Sequence, residues 1–200
     1  MTTEHKYRGA LTREQFLFPE TRITAKLKIQ GLETEEIIEK IVDENLFQYP
    51  TEKTINSIAK ACLRRLGFVD ENLVHKLANG AVQEAKQISL YALMKDNKLV
   101  WDFMINVIGE KYRTQDLSFS NKDIYSFTTN MQEQNLQIAG WTDETIKKIR
   151  VVLKNILLEN DYVSDAKSET LNYVLLNYDL EMYIKKMKDN KALIAFNFFE

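Results

Sequence analysis

Apolar residues recur with helical spacing along nearly the whole chain. The clearest stripe repeats every three or four positions: Ile55, Ile58, Ala59, Cys62, Leu63 and Leu66. This spacing puts them on one face of a helix, which Thr51 can cap after Pro50 and Gly67 can end. Similar patterns predict further helices over residues 20–30, 35–45, 70–80, 81–94, 99–111, 122–134, 142–160 and 181–189. The sequence therefore predicts a mainly α protein.

The spacing changes after residue 160. Two short β-like runs, residues 161–163 and 171–176, flank the polar residues 164–170 and predict a short β-hairpin. A helix, a turn at Gly140, a helix capped by Thr142 and a hairpin follow each other in the order of a winged helix. In the first half, two helices joined by a turn at Pro50 are typical of a helix-turn-helix.

A polar segment interrupts the helical pattern near the middle of the chain. Residues 112–121 (YRTQDLSFSN) lose the apolar period and gain small polar side chains. We therefore predict two small helical domains: a helix-turn-helix-like N-terminal domain over residues 1–114 and a winged-helix-like C-terminal domain over residues 115–200.

The charge balance excludes a polycationic protein. The 200 residues contain 27 Lys and Arg against 29 Asp and Glu, a net charge of −2, and 44% of them are hydrophobic. That apolar content is ample for a packed core. Any argument for an acidic partner must therefore rest on local clusters of positive charge.

Signals of catalysis, cofactor binding and membrane insertion are missing from the sequence. It lacks a Walker A loop, GxSxG, HExxH, CxxC and a glycine-rich dinucleotide loop, and it has one Cys and two His. Asp161 and Asp165 lie near Lys167, but the third acid of a metal-dependent nuclease site is missing. No stretch approaches the roughly 20 apolar residues of a spanning helix, and the opening residues lack a secretory apolar region. We expect a cytoplasmic, non-enzymatic protein without cofactor, metal or small-molecule substrate.

The third predicted helix has a basic polar face. Residues 53–69 include four basic side chains and no acid, whereas residues 33–44 include six acids and one Lys. Lys and Arg contact phosphates, and Asn and Ser can contact phosphates or base edges. The candidate DNA-binding residues here are Lys53, Asn56, Ser57, Lys60, Arg64 and Arg65. The alternative is a solvated helix face in a plain α-bundle.

A second basic face lies on the helix capped by Thr142. Lys147, Arg150 and Lys154 follow each other at i, i+3 and i+7, and Lys167 lies in the predicted wing. Arg22 and Lys26 could extend a basic track. The alternative is that this half docks a protein, since winged helices often do.

Several stretches taken together resemble a known family. They are RGALTREQFLFPETRITAKLKIQGLETEEI (8–37), NLFQYPTEKTI (45–55), EAKQISLYALMKDNKLVWDFMINVIGEKY (84–112) and GWTDETIKKIRVVLKNILLENDYV (140–163). In this order they resemble the BrxA family, the small component of BREX bacteriophage-exclusion systems. The resemblance implies a non-enzymatic, mostly helical protein, similar in part to the NusB antitermination fold, that binds double-stranded DNA and works with other BREX components.

The local charge and the resemblance lead to one hypothesis and two alternatives. The hypothesis is a double-stranded DNA-binding protein that works mainly through phosphate contacts. The first alternative is an RNA-binding NusB-like module, which a competition between duplex DNA and structured RNA would reveal. The second is a protein adaptor that assembles the other defence components.

Overall fold

Helices make up most of the described chain, which comprises residues 7–199 of this computed structural model. The mainly α prediction is confirmed. By contact, the chain divides into two units, residues 16–96 and residues 7–15 with 97–199. The predicted division at residue 114 has other bounds and stays a prediction about folding domains. Residues 1–6, on which part of the expectation of no secretory signal rests, lie outside the described residues.

Residues 16–96 form the α1–α5 unit. Its helices are α1 (Phe18–Lys28), α2 (Thr34–Asp43), α3 (Glu52–Leu66), α4 (Glu71–Asn79) and α5 (Val82–Asp96). Helix α3 packs against α1, α2 and α5, so its predicted apolar stripe is at the centre of this unit.

Local capping signals set where these helices begin. The Thr51 hydroxyl accepts a hydrogen bond from the Thr54 amide at 3.3 Å. The Asp70 carboxylate accepts one from the Leu73 amide at 3.0 Å. Each satisfies a backbone donor that the first helical turn leaves without an intrahelical partner. The Thr51 cap was predicted from the sequence and is confirmed.

The core of the α1–α5 unit is aliphatic around one buried thiol. Ile37, Ile41, Ile55 and Ile58 pack together with Cys62. Because burial disfavours the thiolate, it raises the pKa of Cys62 to about 11. A thiol in this state is a packing residue rather than a nucleophile.

The remaining described residues form the α6–α11 unit. Its α-helices are α6 (Lys98–Phe103), α7 (Glu110–Arg113), α8 (Asn121–Gln134), α9 (Leu136–Ala139), α10 (Asp143–Glu159) and α11 (Tyr178–Lys186). A π-helix (Met104–Gly109) joins α6 to α7, and two 3-10 helices (Gly9–Thr12 and Asn190–Phe196) complete the unit.

The segment 7–15 is packed into the α6–α11 unit. Leu11 is fully buried, and its 3-10 helix contacts α10. The Tyr7 hydroxyl donates to Asp102 at 2.7 Å, and the Gln137 side-chain amide donates to the Tyr7 carbonyl at 2.7 Å. These two hydrogen bonds join Tyr7 to residues that lie 95 and 130 positions further along the chain.

Helices α8 and α10 pack side by side in the same unit. Thr142 caps α10 as predicted, accepting from the Thr145 amide at 3.2 Å. The inward face of α10 is apolar and buried, and comprises Ile146, Ile149, Val152, Leu153, Ile156 and Leu157. The opposite face is therefore left to the basic residues of the sequence prediction.

The predicted β-hairpin is wrong, because no described residue belongs to a β-strand. Residues 164–168 instead form a local turn, in which the Asp165 carboxylate accepts from the Lys167 amide at 2.6 Å. The following segment forms one isolated antiparallel bridge, between Thr170 and Ser118, and its Asn172 amide donates to the Tyr162 carbonyl at 2.8 Å. Residues 171–176 form no regular secondary structure, and Leu171 and Leu176 are buried.

The structure bears differently on the two predicted motifs, the winged helix and the helix-turn-helix. The winged-helix arrangement is not confirmed, because the described residues contain no β wing. Helices α2 and α3 do follow each other through a turn at residues 44–51, which keeps the helix-turn-helix prediction open. The basic helices α3 and α10 belong to different units.

Candidate nucleic-acid interface

The middle of α3 presents an exposed polar face. Lys53, Ser57 and Lys60 are exposed, and Asn56 is half-buried. The helical period puts these four residues on the side opposite the buried isoleucines. The face is small, with two cations.

The last turn of α3 uses its two arginines inside the fold. The Arg64 guanidinium binds the Asp96 carboxylate at the end of α5 through two bonds, Nε to Oδ1 at 2.6 Å and Nη2 to Oδ2 at 2.9 Å. Arg65 is only 1% exposed, and its Nη1 donates to the Phe16 carbonyl at 3.0 Å. Its Nε lies 3.6 Å from Asp96 Oδ2. Arg65 cannot reach a surface ligand, and Arg64 is committed to a buried acid.

Of the two predicted cations on α1, Arg22 is bound within the fold and Lys26 is exposed. The Arg22 guanidinium donates to the carbonyls of Ala78 at 3.2 Å and Gly80 at 2.8 Å, at the C-terminal end of α4. A cation there satisfies carbonyls that the helix leaves open and offsets its dipole. Lys26 is exposed on α1. Of this predicted extension of the basic track, only Lys26 is a fully exposed surface cation.

The structure brings the three predicted cations of α10 together in one groove. Lys147, Arg150 and Lys154 all line a groove of about 360 Å³ between α8 and α10. No Asp or Glu is found among the described residues that line it. Lys167 is exposed on the 164–168 turn but does not line the groove, to which its neighbour Ala166 contributes.

Arg150 is held in a defined position. Its Nε donates to the Thr128 hydroxyl on α8 at 2.7 Å. Its guanidinium carbon lies 4.0 Å from the centre of the Tyr125 ring, within the range of a cation–π contact. A guanidinium carries five N–H donors, and Thr128 uses only the one at Nε. The arginine is thus preorganised by α8 while remaining part of the groove.

Apolar side chains form the other surface of the groove. Ile124 and Tyr125 come from α8, and Val151 and Leu158 come from α10. Tyr125 is 53% exposed and Val151 is 59% exposed. Exposed apolar surface beside fixed cations is typical of a binding site rather than of a solvated helix face.

Sequence reasoning missed two residues of this description. Tyr125 was predicted only as part of a helix, and Asp96 only as part of a polar connection. No sequence signal shows that Asp96 meets the arginines of α3 or that Tyr125 faces α10. Both roles depend on contacts between helices distant in sequence.

Two further kinds of feature, a metal site and a membrane-spanning helix, were searched for within residues 7–199. The structure gathers no group of three His, Cys, Asp or Glu side chains there that could hold a metal ion. Within the same residues, no helix combines the length and the apolar character that crossing a membrane requires.

Comparisons with known proteins link the chain to one family. The family model BrxA matches residues 5–188. A Bacillus cereus protein named BREX protein BrxA is 31% identical over 190 residues, which cover 94% of this chain and 95% of the relative. Proteins of the same name from Paramagnetospirillum magneticum and Escherichia coli O9:H4 are each 23% identical, covering 95% and 84% of this chain and 96% and 79% of the relatives.

A solved structure shares the fold. The crystal structure of an uncharacterized protein from Magnetospirillum magneticum superimposes with a TM-score of 0.80 at 21% identity. The match covers 95% of this chain and 97% of that chain. At this identity the likeness concerns the fold alone.

Proposed function

The chain belongs to the BrxA family, and on that premise we propose that it is a non-enzymatic component of a BREX phage-defence system that binds double-stranded DNA mainly through phosphate contacts. Its relatives are named as BREX proteins, which supports the system. Other BREX components are then its protein partners.

The proposal of DNA binding rests on the groove of α10. Three cations at i, i+3 and i+7 line one groove, and no acidic side chain accompanies them among its described lining residues. A cationic surface without an acid in its lining attracts the phosphate backbone of DNA. This local arrangement outweighs a net charge of −2 at contact distance, since charges beyond about 10 Å are screened in physiological salt.

The α3 face is the second surface of the proposal. In a helix-turn-helix unit made of α2 and α3, α3 would approach the major groove with Lys53, Asn56, Ser57 and Lys60. We do not propose Arg64 and Arg65 as DNA contacts, because both form ion pairs with Asp96. Two exposed lysines make this a weaker surface than the groove of α10.

Salt dependence of duplex binding tests the proposal. Anisotropy of a labelled blunt duplex is titrated with protein over a series of salt concentrations. Phosphate contacts release counterions, so the logarithm of the association constant falls linearly with the logarithm of salt concentration. About six contacts give a slope of about −5. Unrelated duplex sequences should bind with similar affinity, because phosphates carry no sequence information.

Charge removal assigns the contacts to a surface. The double variant Lys147→Ala/Lys154→Ala should reduce the magnitude of the slope by about 2, and Lys53→Ala/Lys60→Ala by no more than that. Lys40→Ala on the acidic helix α2 is the matched control and should leave binding unchanged. Unaltered binding by both double variants would contradict the proposal.

Two other outcomes would favour the alternative functions, RNA binding and protein assembly. Tighter binding of structured RNA than of duplex DNA of equal length would favour an RNA-binding module. Co-purification with other BREX components, combined with no duplex binding at about 0.1 M salt, would favour an adaptor.

A further inference from the structure

The groove between α8 and α10 combines two chemistries. Its cations can neutralise phosphates. Its apolar surface around Tyr125 and Val151 makes no favourable contact with a charged phosphate. A blunt duplex presents phosphates outward and keeps the flat faces of its bases stacked inside. Duplex binding alone therefore leaves the apolar surface of the groove uncovered.

Tyr125 offers a preformed surface for a flat ligand. The Arg150 guanidinium lies 4.0 Å from the ring centre, and the bond from Arg150 to Thr128 fixes that stack. The Tyr125 side chain is still half exposed, so the ring is open to a ligand. Unpaired bases stack on aromatic rings and on guanidinium planes, whichever base is present.

We propose that the α8–α10 groove binds an unpaired segment of nucleic acid, with phosphates on Lys147, Arg150 and Lys154 and a base stacked on Tyr125. Asn121 and Asn155 line the same groove and bring amide donors and acceptors for base edges. This inference rests on the proposed function and adds to it, because it assigns the groove to nucleotides that protrude from a duplex.

The α3 face differs in the chemistry that matters here. Its exposed residues, Lys53, Ser57 and Lys60, include no aromatic ring and suit contacts to a phosphate backbone. Both surfaces can therefore contact phosphates, whereas base stacking is expected in the α8–α10 groove and not on the α3 face.

An acidic peptide with apolar side chains is the rival occupant. Such a peptide would also match three cations beside an apolar surface. An aliphatic anchor, however, gains most in a deep pocket, whereas Tyr125 and Val151 are both more than half exposed. A shallow surface formed by an aromatic ring and a planar guanidinium favours a planar base.

Three labelled DNAs separate the base from the phosphates. The first is a blunt duplex, the second carries a 3′ tail of six thymidines, and the third carries an abasic tail with the same number of phosphates. Because stacking adds affinity only when a base is present, the thymidine tail should bind about tenfold tighter than the abasic tail. This ratio should persist as salt is raised, since stacking releases no counterions.

Variants assign the gain to Tyr125. Tyr125→Ala should abolish the difference in affinity between the thymidine and abasic tails, because the two tails differ only in the bases that would stack on the ring. Tyr125→Phe keeps the ring and should keep the difference. Tyr173→Ala is the matched control, because Tyr173 is an exposed tyrosine of the same unit that does not line the groove.

The outcomes distinguish this inference from the proposed function. Blunt-duplex binding with equal affinities for the two tails overturns the inference and leaves the proposed function standing. If the wild-type protein does not bind the blunt duplex but prefers thymidine tails in a Tyr125-dependent way, the proposed function is overturned and the inference is supported. A peptide of alternating Glu and Leu that binds in a Tyr125-dependent way, without any thymidine gain, overturns the inference in favour of a protein partner.

Discussion

At the scale of single residues, helical spacing predicts which face a side chain is on but not what it meets there. Lys60, Arg64 and Arg65 follow one another on α3 and look equivalent in the sequence. The structure leaves Lys60 exposed, whereas Arg64 and Arg65 both bind Asp96, more than 30 residues further along the chain. Spacing therefore predicted the cationic face correctly and overestimated its size.

The ion pairs at Asp96 should be essential for the stability of the α1–α5 unit. The Asp96 side chain is 3% exposed, and the Arg65 side chain beside it is 1% exposed. Removing the carboxylate charge takes away the anion that lies 3.6 Å from the buried Arg65 guanidinium. We expect Asp96→Asn to lower the free energy of unfolding by about 3 kcal/mol or more, measured by urea denaturation.

An exposed acid provides the comparison for this variant. Asp43→Asn changes the same functional group on the solvent face of α2 and should alter stability by no more than about 0.5 kcal/mol. If both variants unfold at the wild-type urea midpoint, the ion pairs at Asp96 contribute nothing measurable to folding.

The groove of α10 shows the same limit for the candidate site. The sequence predicted its three cations, because they lie on one helix with regular spacing. It did not distinguish the half-exposed Tyr125 from the buried Phe127 two residues later. Phe127 packs against the Phe103 ring of α6 with 5.3 Å between the ring centres, a contact between helices that no local pattern encodes.

At the scale of elements, local signals predicted helix starts and failed at the extended segment. Thr51, Asp70 and Thr142 cap their helices through bonds to amides three residues ahead, so the signal and its effect are neighbours in sequence. A β-hairpin instead needs two segments to pair. The residues after the 164–168 turn contact residues 117–119, which the pattern of residues 161–176 could not reveal.

The π-helix between α6 and α7 packs so closely against the 3-10 helix Asn190–Phe196 that Gly109 has no room for a side chain. A Cβ atom added at Gly109 would lie 2.9 Å from the Ile194 Cγ1 atom and 3.3 Å from its carbonyl carbon. Contacts this short force neighbours in a packed core to move. We expect Gly109→Ala to lower the free energy of unfolding by about 1–3 kcal/mol, measured by urea or thermal denaturation.

Gly140 offers a matched glycine in the same unit. An added Cβ there would meet its nearest neighbour at 3.7 Å, and its φ of −78° suits any residue. Gly140→Ala should therefore change stability by less than about 1 kcal/mol, in either direction. Equal stabilities of the two variants would show that the contact between Gly109 and Ile194 tolerates a methyl group.

At the scale of the whole molecule, contact and sequence order divide the chain differently. The loss of helical period at residues 112–121 predicted a boundary there. In the structure, Tyr112 is already bound into the α6–α11 unit, since its hydroxyl donates to the Asn172 carbonyl at 2.6 Å. The burial of Tyr112 raises its pKa above the ordinary range of a tyrosine, consistent with a core position. By contact, residues 112–121 therefore belong to the α6–α11 unit, and the boundary near residue 114 stays a prediction about folding.

Two fragments test which division describes folding. Residues 16–96 contain their own aliphatic core and the ion pairs at Asp96, so this fragment should be helical by circular dichroism and unfold cooperatively in urea. Residues 1–114 include Phe103, Ile108 and Tyr112, which are buried in the full chain, but lack the 3-10 helix at 190–196 that packs beside them. That fragment should bind the dye ANS strongly or aggregate, because exposed apolar surface does both. A cooperative 1–114 fragment without dye binding, or an unfolded 16–96 fragment, would instead support the boundary at residue 114.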